Sequence, residues 1–208
     1  MTSTLTLKRL GLMLTLVLTV LPAWAGAKAK FNSVLNIGDA APDWKALPGV
    51  DGKNHDLAEY SKAKVLVLIV TCNHCPVAKM YEERFTKFTN DYRAKGVQVV
   101  ALSCNRSRAD ALEAMKERNE EKKFPFPYLY DETQKSGRAY GAAATPHIFV
   151  LNDKRKIAYM GAFDDQNSAT KVQKHFVIDA VDALLAGREP VIKESRPRGC
   201  TIDYEDLP

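Results

Sequence analysis

Apolar positions along this chain alternate between short unbroken runs and longer stretches spaced by three and four. Val65-Leu66-Val67-Leu68-Ile69-Val70 is continuous and rich in β-branched residues. Such a run predicts a strand buried on both faces, as in a sheet covered by helices. Val77, Met80, Tyr81, Phe85, Phe88 and Tyr92 follow at helical spacing, and Lys95-Gly96 supplies a stop. Val97-Gln98-Val99-Val100-Ala101-Leu102 predicts a second buried strand, leading to Cys104. Residues 109–122 predict a second helix with Leu112 and Met115 on one side, and residues 126–130 a short strand. A short helix is expected over residues 133–140, stopped by Gly141. Residues 148–151 and 157–160 predict two strands joined by the turn Asn152-Asp153-Lys154. Val172, Phe176, Ala180, Val181, Leu184 and Leu185 mark a final helix, ended by Gly187. Upstream, Asp51-Gly52-Lys53 reads as a tight hairpin turn and residues 57–62 as a short helical link. The order of elements predicts an α/β fold: a central mixed sheet with a parallel core and an antiparallel edge hairpin, flanked by helices. That domain spans residues 26–188. Residues 189–208, with three prolines and no periodicity, read as a C-terminal tail carrying Cys200.

The first 25 residues have a different pattern. Lys8 and Arg9 precede an apolar run from Leu10 to Leu21, and Ala23-Trp24-Ala25 has the small-x-small form of a cleavage site. This is the pattern of a secretory signal peptide, with cleavage expected after Ala25. The run is short against the about 20 residues of a membrane span. The mature protein is therefore expected to be soluble, and periplasmic or secreted. Loss of Lys8 and Arg9 lowers the formal net charge from +5 to +3. With both signs interspersed, that charge argues against nucleic acid as a partner. A chain of 208 residues, 46% hydrophobic, can bury a core without disulfide staples. Its four cysteines, Cys72, Cys75, Cys104 and Cys200, therefore call for another explanation, and export places them in an oxidising environment.

The chemistry concentrates in Thr71-Cys72-Asn73-His74-Cys75-Pro76, at the junction of the first buried strand and the first helix. Unpaired N–H groups at a helix N-terminus favour negative charge and lower a thiol pKa. Cys72 is accordingly expected to be the nucleophile, and Cys75, one turn in, the resolving thiol. Pro76 fits the first helical turn, where its N–H is not needed. A protonated His74 beside Cys72 would stabilise the thiolate and make the pair more oxidising. An inert structural disulfide is one alternative. Half a zinc site is another, though no second ligand pair stands at metal spacing. Cys104 is expected near Cys72, since parallel strands end on the same side. Cys200 would pair with Cys104 or act as a third thiol in relay with Cys72. Trp44 and Phe163 read as core or pocket-lining residues.

Three stretches carry a family resemblance: Gly38-Asp39-Ala40-Ala41-Pro42-Asp43-Trp44, the strand into Cys72-Asn73-His74-Cys75-Pro76, and Tyr140-Gly141-Ala142-Ala143-Ala144-Thr145-Pro146 before a strand. Together with the Val150-Leu151-Asn152-Asp153 hairpin they cover about residues 36–187. The chain resembles the thioredoxin-fold redoxins, which include peroxiredoxins and TlpA-like periplasmic thiol-disulfide oxidoreductases. More narrowly, it is similar to a peroxiredoxin-like subgroup with a Cys-Asn-x-Cys-Pro site and a C-terminal Gly-Cys-Thr element, here Gly199-Cys200-Thr201. The resemblance implies that Pro146 is cis and faces the cysteine pair, and that Thr145 contacts the substrate thiol or peptide. It also implies that Cys72 is the more exposed of the two cysteines. The activity implied is thiol-disulfide exchange on exported proteins, with no organic cofactor and a membrane redox partner for recycling. His74 occupies the place of the histidine in strongly oxidising DsbA-type sites. The Thr and Pro that precede a peroxidatic cysteine are missing: Cys72 and Leu68 stand there counted from Cys75, Ile69 and Val65 counted from Cys72. This argues against a thiol peroxidase. Copper chaperones of the Sco type share the fold, and a Cu(I) carrier would add His147 to Cys72 and Cys75.

Full-length protein expressed in a bacterium with an export pathway should be recovered outside the cytosol with Gly26 as its first residue. Intact mass spectrometry checks this; a retained leader would refute the cleavage.

Overall fold

The computed structural model describes residues 28–205; the segment read as a signal peptide lies outside them. A two-residue hairpin comes first, β1 (Leu47–Pro48) and β2 (Asn54–His55), turning at Asp51-Gly52. A 3-10 turn (Leu57–Tyr60) leads to β3 (Val65–Thr71), α1 (Pro76–Arg93), β4 (Val97–Ser103), α2 (Leu112–Lys122) and β5 (Tyr128–Tyr130). Then come α3 (Lys135–Ala139), β6 (Ala144–Thr145), β7 (His147–Leu151), β8 (Ile157–Gly161), α4 (Phe176–Leu185) and β9 (Cys200–Thr201). The main sheet has the order β5-β4-β3-β7-β8. β3 pairs in parallel with β4, and β4 with β5, while β7 runs antiparallel to both β3 and β8. The expected mixed sheet is present.

β3 explains why the apolar runs are unbroken. Successive strand side chains point to opposite faces. Val65, Val67 and Ile69 enter the core with Tyr81, Phe85 and Phe88 of α1 and Val177 and Val181 of α4. Leu66, Leu68 and Val70 enter a second core with Trp44, Tyr140, Phe149 and Ile202. Among the described residues, long helices cover only the first face. On the second, Ala29, Leu35 and Ile37 from one side and Ile202 and Tyr204 from the other close the core. Glu194 accepts hydrogen bonds from the Lys30 and Phe31 N–H groups at 2.8 and 2.6 Å, and Ile202 is buried. The tail, without periodicity in sequence, is thus an integral layer.

Other boundaries shift for local reasons. Met80 is 58% exposed, because α1 turns Ala78, Tyr81, Phe85, Phe88 and Tyr92 inward instead. The second helix begins at Leu112, after a 3-10 turn (Arg108–Asp110) and an extended Ala111. β5 is shortened to three residues, since Pro125 and Pro127 lack the N–H a ladder requires. The final helix starts at Phe176, because Val172 is extended.

Phe163, expected in the core, is the keystone beneath α1. Its ring packs edge-on against Tyr81, Phe85 and Phe88 at 6.2, 5.3 and 5.7 Å between centroids. Beside it, Arg84 pairs with the buried Asp164 at 2.6 Å, and the Tyr81 hydroxyl donates to Asp164 at 3.1 Å. These contacts tie α1 to the loop after β8.

Phe163→Ala removes a fully packed ring and should lower unfolding stability by about 3–5 kcal/mol. Urea denaturation of the reduced protein measures it; a loss within the surface range of about 0.5 kcal/mol would show that α1 is held elsewhere.

Candidate functional site

Strand register brings the site together. Thr71 pairs with Ser103 across the parallel β3–β4 ladder, so Cys72 and Cys104 leave the sheet side by side. β7 enters at the same edge in the opposite sense, with His147 opposite Val70, so Thr145-Pro146 lies against the cysteine motif. The Thr145–Pro146 peptide bond is cis. Cys75 is the N-cap of α1, with Pro76 as the first helical residue, and its Sγ accepts from the Ala78 N–H at 3.4 Å. Thr145 touches both sulfurs. Its Oγ1 lies 3.3 Å from Cys72 Sγ, and its carbonyl oxygen accepts from the Cys75 thiol at 3.1 Å.

The two thiols are not in the expected states. Cys72 is only 3% exposed and Cys75 is fully buried. Burial pushes the Cys72 thiol up to about 11, against a hydrogen bond from Thr145, and the nearby Asp110 carboxylate adds to the rise. Burial also opposes ionisation of Cys75, but the Cys200 thiol, the Ala78 N–H and the Cys200 N–H outweigh it, and Cys75 is held below the usual thiol range. Contact with Cys200 first, and the Ala78 N–H at the helix N-terminus second, therefore favour a thiolate on Cys75 rather than Cys72. Position contributes: Cys75 is the cap itself, whereas Cys72 stands a turn before it, beside a carboxylate.

That carboxylate is a residue the sequence reading passed over. Asp110 is completely buried. Its Oδ1 accepts from the N–H groups of Asn73 and His74 at 2.7 and 3.1 Å, and its Oδ2 from Ser107 Oγ at 2.6 Å. His74 Nδ1 donates to Oδ2 as well. Four donors saturate the carboxylate and fix the loop between the cysteines. His74 thus faces Asp110. Asn73 is secured from its other side by Tyr128, whose hydroxyl donates to Asn73 Oδ1 at 3.0 Å. The one sequence hint of Asp110 was Ser107-Arg108-Ala109-Asp110, a spacing that by itself signals only a helix start.

The remaining candidates separate. His147 is buried. Its Nδ1 accepts from the Ala143 N–H at 3.3 Å, its ring lies 4.5 Å from that of Phe149, and burial lowers its pKa to about 3. Among the described residues, the one cluster of three potential metal donors is Cys72, His74 and Asp110, within 4.8 Å of one another. It excludes His147 and Cys75, and hydrogen bonds already occupy Asp110. The alternative copper set of Cys72, Cys75 and His147 is therefore not assembled among the described residues. Cys104 is buried under Tyr204, and burial pushes its thiol up to about 12. Cys200 packs neither on Cys104 nor primarily on Cys72; it joins Cys75, Cys72 and Ala78 in one cluster. Thr145 is not open to a partner either. It is buried, and its backbone edge pairs with Cys200 of β9. A surface groove of about 1190 Å3 between α1 and α2 is lined by charged residues such as Lys79, Glu83 and Arg118 and contains no cysteine.

Comparisons with known proteins agree with this chemistry. Residues 36–174 match the family described as Redoxin. A solved structure of an uncharacterized conserved protein from Geobacillus kaustophilus is 36% identical, covering 88% of this chain and 100% of that one, with a TM-score of 0.78. A hypothetical protein from Sinorhizobium meliloti is 31% identical over 84% of this chain and 97% of its own, also at 0.78. A putative thiol:disulfide interchange protein DsbE from Chlorobium tepidum is 25% identical over 61% of this chain and 84% of its own, at 0.54. No curated protein sequence matches the chain. The architecture is the thioredoxin-like fold.

Asp110→Asn removes the negative charge facing Cys72, so Cys72 should ionise below about 11. Thiolate absorbance followed with pH in a Cys75→Ser background reads the shift, and an unchanged or raised midpoint would remove Asp110 as a charge acting on Cys72.

Proposed function

Because the chain belongs to the Redoxin family, we propose that its thiol redox chemistry is disulfide exchange on exported proteins, run in the direction that oxidises a partner's dithiol. The observation that carries this reading is the unequal handling of the two thiols: Cys75, the cap of α1, is favoured as thiolate, and Cys72 as thiol. Stabilising the reduced pair in this way raises its reduction potential.

In the oxidised pair a partner thiolate attacks Cys72 Sγ. The Cys72–Cys75 bond breaks and Cys75 leaves as thiolate, since the sulfur of lower pKa leaves faster. The partner is then joined to Cys72. Its second thiolate attacks its own bonded sulfur, Cys72 departs and takes up a proton, and the partner is released with a new disulfide. Two electrons have passed from the partner to the pair. Cys72 thus carries the mixed disulfide and Cys75 accepts the charge, which revises the simpler assignment of Cys72 as the standing nucleophile. Thr145 orients both sulfurs through its hydroxyl and carbonyl, the cis Pro146 joins Thr145 to β7, and His74 donates to Asp110 and fixes the loop between the cysteines.

The basic, apolar N-terminal segment supports export to the periplasm or beyond. A membrane protein that accepts the two electrons would return the pair to the disulfide. The chain's residues require no organic cofactor for these steps.

Cys75→Ser should accumulate mixed disulfides on Cys72 in intact cells, seen as reducible adducts on non-reducing gels after acid quenching and alkylation. The double variant Cys72→Ser/Cys75→Ser should show none of those adducts. Absence of Cys72 adducts in the single variant would overturn the proposal.

A further inference from the structure

Of the three clustered thiols, only Cys200 is partly exposed. It arrives there by a specific path. β9 pairs with β6 so that Cys200 stands opposite Thr145, the residue whose carbonyl accepts from the Cys75 thiol. Gly199 permits this approach. Its φ is +155°, and a Cβ at that position would sit 1.9 Å from the Thr145 carbonyl oxygen, a space only glycine can occupy. Downstream, Ile202 N–H donates to the Ala143 carbonyl at 3.2 Å and the Tyr204 hydroxyl to the Ala142 carbonyl at 2.8 Å. The strand is thus anchored just beyond Cys200. At the sulfurs, Cys200 and Val77 pack on the buried cluster of Cys72, Cys75 and Ala78.

We propose that Cys200 is a third redox thiol that forms a disulfide with Cys75, making Cys75 the shared sulfur of two alternative disulfides. In the chain oxidised at Cys72–Cys75, Cys200 gives its proton to water and its thiolate attacks Cys75 Sγ. The Cys75–Cys200 bond forms, the Cys72–Cys75 bond breaks, and Cys72 leaves with the bonding pair and takes a proton from water. The exchange is internal, with one disulfide before and one after, and no outside oxidant. It moves the disulfide from a buried pair to one ending on an accessible sulfur. A thiolate of a protein partner can then attack Cys200 Sγ, with Cys75 leaving. The tail accordingly occupies the Thr145 edge, where the family resemblance would seat a substrate, and offers its own sulfur to Cys75. The charge balance at the pair favours Cys75 as the leaving sulfur in that last step.

This inference rests on the exchange function proposed above, and one experiment separates their failures. Cys72→Ser in the full mature chain is oxidised with oxidised glutathione, alkylated and digested with trypsin without reduction. Cleavage yields one peptide of residues 65–79, containing Cys75, and one of residues 199–208, containing Cys200. The expected result is a covalent link between the two, lost on reduction and lost in Cys72→Ser/Gly199→Ala, which keeps Cys75 and Cys200 but displaces the tail. Glutathione adducts on each cysteine with no link, in a variant of native circular dichroism, overturn the proposal. Should Cys72→Ser fail to fold, the wild-type chain titrated against glutathione carries the test. Linked peptide whose fragmentation places the bond on Cys75 supports the proposal, and a bond on Cys72 alone, or Cys200 free to alkylate at every potential, overturns it. Failure of the wild-type pair to exchange with a protein disulfide such as insulin would instead overturn the exchange function, whatever the Cys75–Cys200 result.

Discussion

Thr145 is the point on which the sulfur chemistry of this protein depends. Its hydroxyl lies against Cys72, its carbonyl accepts from Cys75, and its backbone pairs with Cys200. Each contact comes from a different level of structure. The hydroxyl and carbonyl reach the motif because β7 runs antiparallel to β3 and enters the sheet where β3 leaves it. The backbone edge remains available because β6 is only two residues long and belongs to no larger ladder. One buried residue therefore couples the strand–helix junction to the C-terminal tail.

The electrostatics follow from competition between burial and hydrogen bonding. A helix N-terminus contributes about 0.3–1 kcal/mol toward a nearby negative charge at exposed sites and up to ~2 kcal/mol in buried geometry. Each pKa unit of desolvation opposes it by about 1.4 kcal/mol. At Cys72 desolvation prevails, because the helix begins a turn further on and Asp110 adds a like charge. At Cys75 the Ala78 N–H reaches the sulfur and Cys200 packs against it, and these contacts prevail. A motif of two cysteines at a helix start does not by itself say which one carries the charge; the position of the cap and the arrival of Cys200 do.

The two faces of the sheet divide the work. Helices α1 and α4, with the Phe163 cluster and the Arg84–Asp164 pair, make one face a conventional rigid layer. The other face is closed by Trp44, Tyr140 and the two chain ends. Because Ile202 belongs to that second core, the segment carrying Cys200 is ordered by hydrophobic burial as well as by its strand pairing. Gln134 reinforces it, donating to the Cys104 and Asp203 carbonyls at 2.9 and 3.0 Å. A thiol in the tail is thereby placed as firmly as one in the sheet.

By itself the sequence determined most of the framework. The unbroken runs of β3 and β4, the helical spacing of α1 and the Asn152-Asp153-Lys154 turn specify a parallel core with an antiparallel hairpin, since strand and helix periods are local properties of the chain. The same patterns place Cys72 and Cys75 at a strand–helix junction. Met80 shows the limit of that reading, since spacings of three and four allow two neighbouring helix faces and packing against the sheet selects one. Asp110 shows another: a buried carboxylate 36 residues from His74 in the cysteine loop leaves no periodic trace. The tertiary structure alone decided that Asp110 faces Cys72, that Cys75 is the favoured thiolate, and that Cys200 meets Cys75 rather than Cys104. Each of these depends on contacts across 36 to more than 100 residues, and such contacts are set by strand register and core burial, not by any pattern along the chain.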